Sequence, residues 1–220
     1  MARKAKKPAP ALADQARTRL EELIVTLQLP PGSVWSEAQL SGKLGIGRTP
    51  VREALQRLQT DYLVKIVPRL GAQVTEINVT QHLRMLEVRR GLERLITKSA
   101  ARRATPEERE QLVRMAATLE AMVDADVLPY LRYHYEIKKF ISACARNPYA
   151  ESAIAPTHAM SRRFYYLHYR KAHDLPVAAM HHAKVIRAIL AGNETRAGAA
   201  SDRLMDYVEE LTLATVTQNL

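Results

Sequence analysis

Strand-like sequence occurs in one short region of this chain, whereas helical periodicity occupies almost all of the rest. Two runs rich in β-branched and apolar residues, 63–67 and 72–76, flank the stretch PRLG at 68–71, which is typical of a hairpin tip. Three helical segments precede this hairpin, at about 11–28, 36–44 and 47–58. Three helices followed by a two-stranded wing predict a winged helix-turn-helix over residues 11–77.

The remainder of the chain, residues 78–220, contains helical periods and no second pair of strand-like runs. Pro and Gly-Asn breaks divide it into predicted helices at about 80–103, 106–125, 129–146, 148–155, 157–171, 177–191 and 194–217. The sequence therefore predicts a mostly α fold, with the winged helix-turn-helix followed by an all-α helical bundle. Residues 1–10 form a basic tail that we expect to be flexible.

Two of the predicted helices begin with a recognisable cap. Ser36 with Gln39 three residues later resembles a capping box. Thr105 precedes Pro106 at the first helical position, and the acidic side chains that follow suit the positive end of a helix dipole. These signals predict helix starts at about residues 36 and 106.

Composition limits the class of protein more than it specifies a function. Hydrophobic residues make up 47% of the 220, enough for a packed core, and no apolar run is long enough to span a membrane. The net charge of +10 suits a polyanionic partner, although this signal is weak on its own. The single Cys144 excludes an internal disulfide and is expected in the core. We expect a cytoplasmic protein.

The segment GRTPVREALQRL at 47–58 predicts a helix with two different faces. Its apolar residues fall at i, i+3, i+4 and i+7 and form one stripe: Val51, Ala54, Leu55 and Leu58. The opposite face is polar and carries Arg48, Thr49, Arg52 and Gln56. Arginine can bridge guanine O6 and N7 or clamp a phosphate, so this face is a candidate DNA-reading surface. The alternative is a solvated basic face.

The sequence around this helix resembles the GntR family of bacterial transcription regulators. The matching residues are Pro31-Gly32, Ser36-Glu37, Leu40, Leu44-Gly45, RTPVREAL at 48–55, and Gly71. The resemblance implies binding to double-stranded DNA through Arg48, Thr49 and Arg52 and through the wing at Arg69 to Gly71. Gln56 lies further along the same helix face and is a weaker candidate.

This chain departs from the family pattern at two positions beside the DNA-reading helix. Ala38 stands where many members carry an arginine, so one expected contact is absent. Gly47 stands where a serine or threonine usually caps the helix, and it offers only its backbone. We therefore expect DNA binding with a contact set of its own.

The helical remainder resembles the FadR-type (FCD) effector domain. The matching segments are Glu87-Val88-Arg89-Arg90 with Leu92-Glu93, Asn147-Pro148, His182 with Ala188-Ile189, and Gly192-Asn193. The resemblance implies an effector-binding and dimerisation domain at 78–220. It further implies a ligand-responsive regulator that binds a pseudo-palindromic operator as a homodimer, with repression relieved by ligand as the family's commoner behaviour.

Many members of that group bind a divalent metal through aspartate and histidine side chains, and this chain does not preserve the set. The matching positions are His134, Lys138, His182 and Leu204, of which only His182 is the expected residue. A protonated lysine and a leucine do not ligate metals. We therefore expect no cofactor, unless His181 or His158 substitutes for a missing ligand.

Lys138 suggests a different chemistry, in which its ammonium meets the carboxylate of a small organic acid directly. His134 and His182 can add hydrogen bonds, and the family match makes Arg89 a second anion-binding candidate. The alternative for Arg89 is a structural ion pair with Glu93, four residues later on the same helix.

Two other functions fit parts of the sequence. One is an enzyme that uses His134, Lys138 and His182 for acid–base chemistry, although no nucleophile–base–orienter set accompanies them. The other is a DNA-binding protein without an effector. The aromatic run 164–169, beside Arg162-Arg163, is interpreted as core or dimer packing with a solvated basic face rather than as a base-stacking surface.

Overall fold

The computed structural model of the protein describes residues 11–122, 126–168 and 175–217. The chain forms two compact units, Met1–Glu76 and Ile77–Leu220. The predicted basic tail at 1–10 lies outside the described residues. Among the described helices, none is both long and apolar enough to cross a membrane.

The first unit contains three helices and a small antiparallel sheet. The helices are α1 (Leu12–Val25), α2 (Glu37–Leu44) and α3 (Arg48–Thr60), and the strands are β1 (Val34–Trp35), β2 (Val64–Val67) and β3 (Gly71–Val74). The strand order is β1-β3-β2, with Trp35 opposite Ala72 and Val67 opposite Gly71. The predicted winged helix-turn-helix is confirmed, but the prediction of a two-stranded wing was incomplete. β1 is two residues long, too short to show an alternating pattern.

The predicted apolar stripe of α3 forms part of the core of this unit. The exposed fractions are 0% for Val51, 0% for Ala54, 3% for Leu55 and 0% for Leu58. Helix α3 packs against α1, whose Leu20 is also fully buried. Because these apolar residues lie on one side of the helix, their burial directs the opposite side of α3 away from the core.

Side-chain and backbone caps set the ends of α2. The predicted capping box at Ser36 is present: Gln39 N–H donates to Ser36 Oγ over 3.2 Å, and Ser36 N–H donates to Gln39 Oε1 over 2.8 Å. Gly45 ends the helix in the left-handed conformation, with φ of 65°. These caps define the short turn that leads into α3.

The second unit is a bundle of six helices within the described ranges. They are α4 (Val79–Arg103), α5 (Pro106–Ala121), α6 (Val127–Cys144), α7 (Pro148–His168), α8 (Leu175–Leu190) and α9 (Glu194–Thr217). Helix α4 is central and contacts α6, α7, α8 and α9. The cap predicted at Thr105 is present as a capping box with Glu108, and Cys144 is fully buried, as predicted.

Two predictions for the region of α7 were wrong. The separate helices 148–155 and 157–171 are one helix, with Pro156 inside it. Pro156 removes one backbone donor, but buried neighbours such as Ile154 and His158 anchor both sides of it to the bundle. Arg162 and Arg163, expected on a solvated basic face, are only 6% and 4% exposed. Residues 170 and 171 lie outside the described ranges.

Candidate nucleic-acid interface and effector pocket

The predicted DNA-reading residues share the outward face of α3. Arg48, Thr49, Arg52 and Gln56 are all exposed. Gly47 precedes them as the N-cap and makes no side-chain cap hydrogen bond. The first backbone N–H groups of α3 therefore lack a side-chain acceptor, and such helix N-termini attract anions. Arg48 makes no ion pair within the described residues, so its charge is available beside this terminus.

Arg52 is held by an acidic residue that sequence reasoning did not assign to the site. Its Nε donates to Glu37 Oε1 and its Nη2 donates to Glu37 Oε2, both over 2.7 Å. The hydrogen bond from Arg52 lowers the pKa of Glu37, so the carboxylate stays ionised at neutral pH. The side chain of Arg52 nevertheless remains 61% exposed. A signal was present in the sequence, since Glu37 directly follows the Ser36 cap of the neighbouring helix.

The wing tip places Arg69 outward and uses Gly71 for a structural purpose. Arg69 is exposed, with a left-handed φ of 67°. Gly71 has φ of 123°, and a Cβ at this position would overlap the carbonyl oxygen of Trp35 in β1. The side chain of any other residue would therefore disturb the β1–β3 pairing. Gly71 therefore has a structural role in the wing, whereas Arg69 has an exposed side chain at its tip.

The second unit contains a buried cluster of charges centred on Glu93. Its Oε1 accepts hydrogen bonds from Arg89 Nε over 3.2 Å and Arg89 Nη2 over 3.0 Å, while its Oε2 accepts one from Lys138 Nζ over 2.9 Å. His158 Nε2 lies 3.4 Å from Oε1. Arg89 also donates from Nη1 to Ser161 Oγ over 2.8 Å. The ion pair weighed as an alternative for Arg89 is therefore present.

All four residues predicted for the effector site lie together. Arg89, His134 and Lys138 line one small pocket, and the ring centroid of His182 lies 3.9 Å from that of His134. Lys138 is directed inward and is only 4% exposed. Sequence reasoning missed further lining residues, which are brought in by helix packing: Leu131, Tyr135, Ser161, Arg162 and Tyr165.

Burial and neighbouring charges set the protonation of this cluster. Burial acts to raise the pKa of Glu93, but Lys138, His158 and Arg89 together hold it well below the ordinary value. Burial, reinforced by nearby positive charges, lowers the pKa of His134 and His182 well below the ordinary value. Burial also lowers the pKa of His158 to about 4, although Glu93 opposes it. At neutral pH the carboxylate is thus charged and the imidazoles are neutral.

Family models match both units of the chain. The model for the FCD domain matches residues 84–207, which is more than half of the chain, and the model for bacterial regulatory proteins of the gntR family matches residues 12–74. The chain belongs to the GntR family and carries an FCD domain. Its architecture, a winged helix-turn-helix followed by a helical FCD domain, is that of this family of bacterial regulatory proteins.

Curated relatives of this GntR-family chain are named as transcriptional regulators. An uncharacterised HTH-type regulator from Agrobacterium vitis is 33% identical over 106 residues, which cover 48% of this chain and 62% of that protein. The HTH-type transcriptional repressor RspR of Escherichia coli is 30% identical over 105 residues, covering 48% of this chain and 46% of RspR. A Streptomyces ambofaciens regulator is 38% identical over 60 residues, 27% of this chain and 25% of that protein. The chain thus spans less than two thirds of the length of each.

Solved structures share the fold over nearly the whole GntR-family chain. Escherichia coli McbR/YncC superposes with a TM-score of 0.83 at 18% identity, covering 94% of this chain and all of that one (100%). A GntR transcriptional regulator from Rhodococcus sp. RHA1 gives a TM-score of 0.68 at 17% identity, covering 92% and 97%. At these identities the likeness establishes the fold alone.

At the positions that the family resemblance implies for metal ligands, this chain carries residues whose chemistry does not suit a divalent metal. Lys138 occupies a ligand position, and its ammonium is bonded to Glu93. Leu204 occupies another and is packed in the hydrophobic core, 1% exposed. Within the described residues, no group of three or more histidine, cysteine or acidic side chains is arranged to hold a metal ion. His134 Nε2 is buried without a hydrogen-bond partner, which leaves a neutral polar atom for another kind of ligand.

Proposed function

We propose that this protein is a homodimeric repressor that binds a pseudo-palindromic operator and releases it when a small organic acid occupies the FCD pocket. The observation that carries the effector half of this proposal is the inward placement of Lys138, 4% exposed, in a pocket also lined by Arg89. Repression also agrees with the name of the relative RspR, a transcriptional repressor.

The DNA half of the proposal rests on the outward face of α3. Arg48 and Arg52 are exposed one helical turn apart, and Thr49 is exposed beside Arg48, next to an N-terminus without a side-chain cap. A helix of this kind reads only a few base pairs, so a specific site requires two half-sites and two copies of the protein. We therefore propose contacts by Arg48, Thr49 and Arg52 in the major groove, with Gln56 and the wing residue Arg69 in auxiliary positions.

The chemistry of the pocket favours an anionic effector. Arg89 and Lys138 bring two positive charges, Glu93 brings one negative charge, and the surrounding imidazoles are held neutral by burial. This set retains a formal excess of positive charge inside the protein, where an uncompensated charge is costly. A carboxylate entering from the pocket would balance it and accept charge-assisted hydrogen bonds. Lys138 thus supplies the charge, and we propose that binding requires no metal.

Thermal unfolding in the presence of EDTA tests the effector half. A panel of small organic acids is compared with the corresponding neutral amides, using the full chain and a Lys138→Met variant. The proposal predicts that some acids raise Tm and weaken DNA binding in a gel shift, that their amides do neither, and that the variant responds to none. Stabilisation by amides and acids alike, or by acids in the variant, would contradict an anion site at Lys138.

A further inference from the structure

Glu37 engages only one edge of the Arg52 guanidinium. The two bonds use Nε and Nη2, each at 2.7 Å from a different carboxylate oxygen. A guanidinium has five N–H donors, so both donors of Nη1 and one donor of Nη2 remain. Those three lie at the tip of the side chain, and Nη1 and Nη2 together form an edge that can donate to guanine O6 and N7 at once. Arg52 can therefore keep its partner while it reads a base.

We propose that Glu37 is a positioning and specificity-determining residue of the DNA interface. It fixes the Nε edge of Arg52 and thereby aims the Nη edge into the groove. This inference rests on the proposed contact between Arg52 and DNA, and it assigns to the first residue of α2 a part in sequence reading that the outward face of α3 does not include.

The backbone that carries Glu37 is well anchored. Glu37 is the first residue of α2, directly after the Ser36 cap, and the reciprocal hydrogen bonds of Ser36 and Gln39 hold that turn. Arg52 is a long side chain, 61% exposed, which would otherwise sample many rotamers. A bidentate partner on a capped helix restricts those rotamers before DNA arrives, so less conformational entropy is lost on binding.

Glu37 is negatively charged, so it cannot contribute to DNA binding by attracting phosphates, and a positioning role can be distinguished from that effect. A carboxylate beside the DNA backbone weakens non-specific binding, because it offsets one arginine charge. Glu37 lies within electrostatic reach of both Arg48 and Arg52. An acidic residue at this place is therefore expected to lower affinity for any duplex and to raise discrimination between duplexes. Removal of the carboxylate should therefore raise affinity for any duplex and lower discrimination between duplexes.

The test measures binding of the full chain to two duplexes by fluorescence anisotropy at fixed salt. One duplex is selected with this protein from a random double-stranded library, and the other is a shuffled duplex of the same composition. The readout is the ratio of the two Kd values, shuffled over selected. Glu37→Gln should lower this ratio roughly tenfold, since misaiming one bidentate contact loses part of its discrimination. Binding to the shuffled duplex should stay equal or tighten.

Two further variants separate geometry from charge. Glu37→Asp keeps the charge but is one methylene shorter, and it should also lower the ratio. Glu53→Gln removes an exposed carboxylate from α3 itself and should change both Kd values by the same factor, leaving the ratio unchanged. If Glu37→Gln and Glu37→Asp both leave the ratio unchanged, the positioning role is overturned.

Two more variants distinguish failure of the proposed base contact from failure of the positioning role: Arg52→Ala and the double variant Glu37→Gln/Arg52→Ala. We expect the double variant to have the same ratio as Arg52→Ala alone, because Glu37 acts through Arg52. An unchanged ratio in Arg52→Ala would refute the proposed base contact itself, and the inference with it. A lowered ratio in Arg52→Ala with no effect of either Glu37 substitution would refute only the inference. Circular dichroism melting confirms that each variant is folded.

Discussion

Lys138 Nζ lies 2.9 Å from Oε2 of Glu93, and each side chain is only 4% exposed. Glu93 also pairs with Arg89 on its own helix, so one buried carboxylate contacts two cations and is joined to α6 through Lys138. Isolated charges are costly to bury, whereas a paired and hydrogen-bonded set is tolerated. This cluster is both a structural element of the bundle and the charged part of the proposed effector pocket.

Removal of the ammonium group from this cluster should destabilise the protein. We expect Lys138→Met to lower the free energy of unfolding by about 3 kcal/mol, because Glu93 loses a buried partner. Urea unfolding followed by circular dichroism measures it. Lys139→Met is the matched control, since Lys139 is 48% exposed and pairs with Glu136 at the surface. Its expected cost is below about 1 kcal/mol. Equal costs for the two substitutions would show that the buried pair contributes little.

Stability should fall as the pH is lowered below about 6.5. Burial lowers the pKa of His82 to about 3, and that of His158 to about 4. The unfolded chain therefore takes up protons on these histidines below pH 6.5 while the folded chain does not. Each histidine that stays neutral in the folded protein then lowers the free energy of unfolding by up to about 1.4 kcal/mol per pH unit, until the pH reaches its pKa in the folded protein. Urea unfolding at a series of pH values measures this slope.

His82→Phe provides the matched variant for that pH dependence. His82 stacks on Phe164 with ring centroids 4.0 Å apart, so phenylalanine preserves the shape and removes the titrating group. We expect a shallower decline of unfolding free energy between pH 7 and pH 4 than in the unaltered protein. An identical slope in both proteins would mean that His82 is protonated in the folded state.

The wing should be sensitive to a single methyl group at Gly71. Gly71→Ala places a Cβ against the Trp35 carbonyl at φ of 123°, so we expect a loss of about 3 kcal/mol or displacement of the wing. Gly45→Ala is the comparison, since Gly45 has φ of 65° and open space around it. Its expected cost is about 1 kcal/mol. Thermal melting of both variants distinguishes the two effects, and the Gly71 prediction fails if Gly71→Ala melts no lower than Gly45→Ala.

Local patterns predicted much of this fold. The stripe from Val51 to Leu58 and the cap at Ser36 depend on residues close together in the sequence, so periodicity and composition reveal them. Strand β1 and the helix through Pro156 depend on partners elsewhere in the chain. Val34 pairs with Gln73, and Pro156 is held by the burial of its neighbours. Neither interaction leaves a local pattern.

In the candidate sites, too, motifs revealed some residues, whereas others depend on contacts between distant parts of the chain. Family resemblance placed Arg89, His134, Lys138 and His182, and the structure brings them together. It did not reveal that Glu93 neutralises much of the positive charge there, because that contact joins α4 to α6. Glu37 was not assigned for a similar reason, since its contact with Arg52 depends on the packing of α2 against α3 and not on a motif of its own.

The most direct test of the account is the affinity of Arg52→Ala for the duplex selected by the unaltered protein. Arg57→Ala is the control, because Arg57 lies on the same helix but pairs with Asp14 of α1. We expect Arg52→Ala to weaken binding to the selected duplex roughly tenfold or more while it melts normally, and Arg57→Ala to bind nearly as the unaltered protein does. Unchanged affinity of a folded Arg52→Ala protein would contradict DNA reading by the outward face of α3.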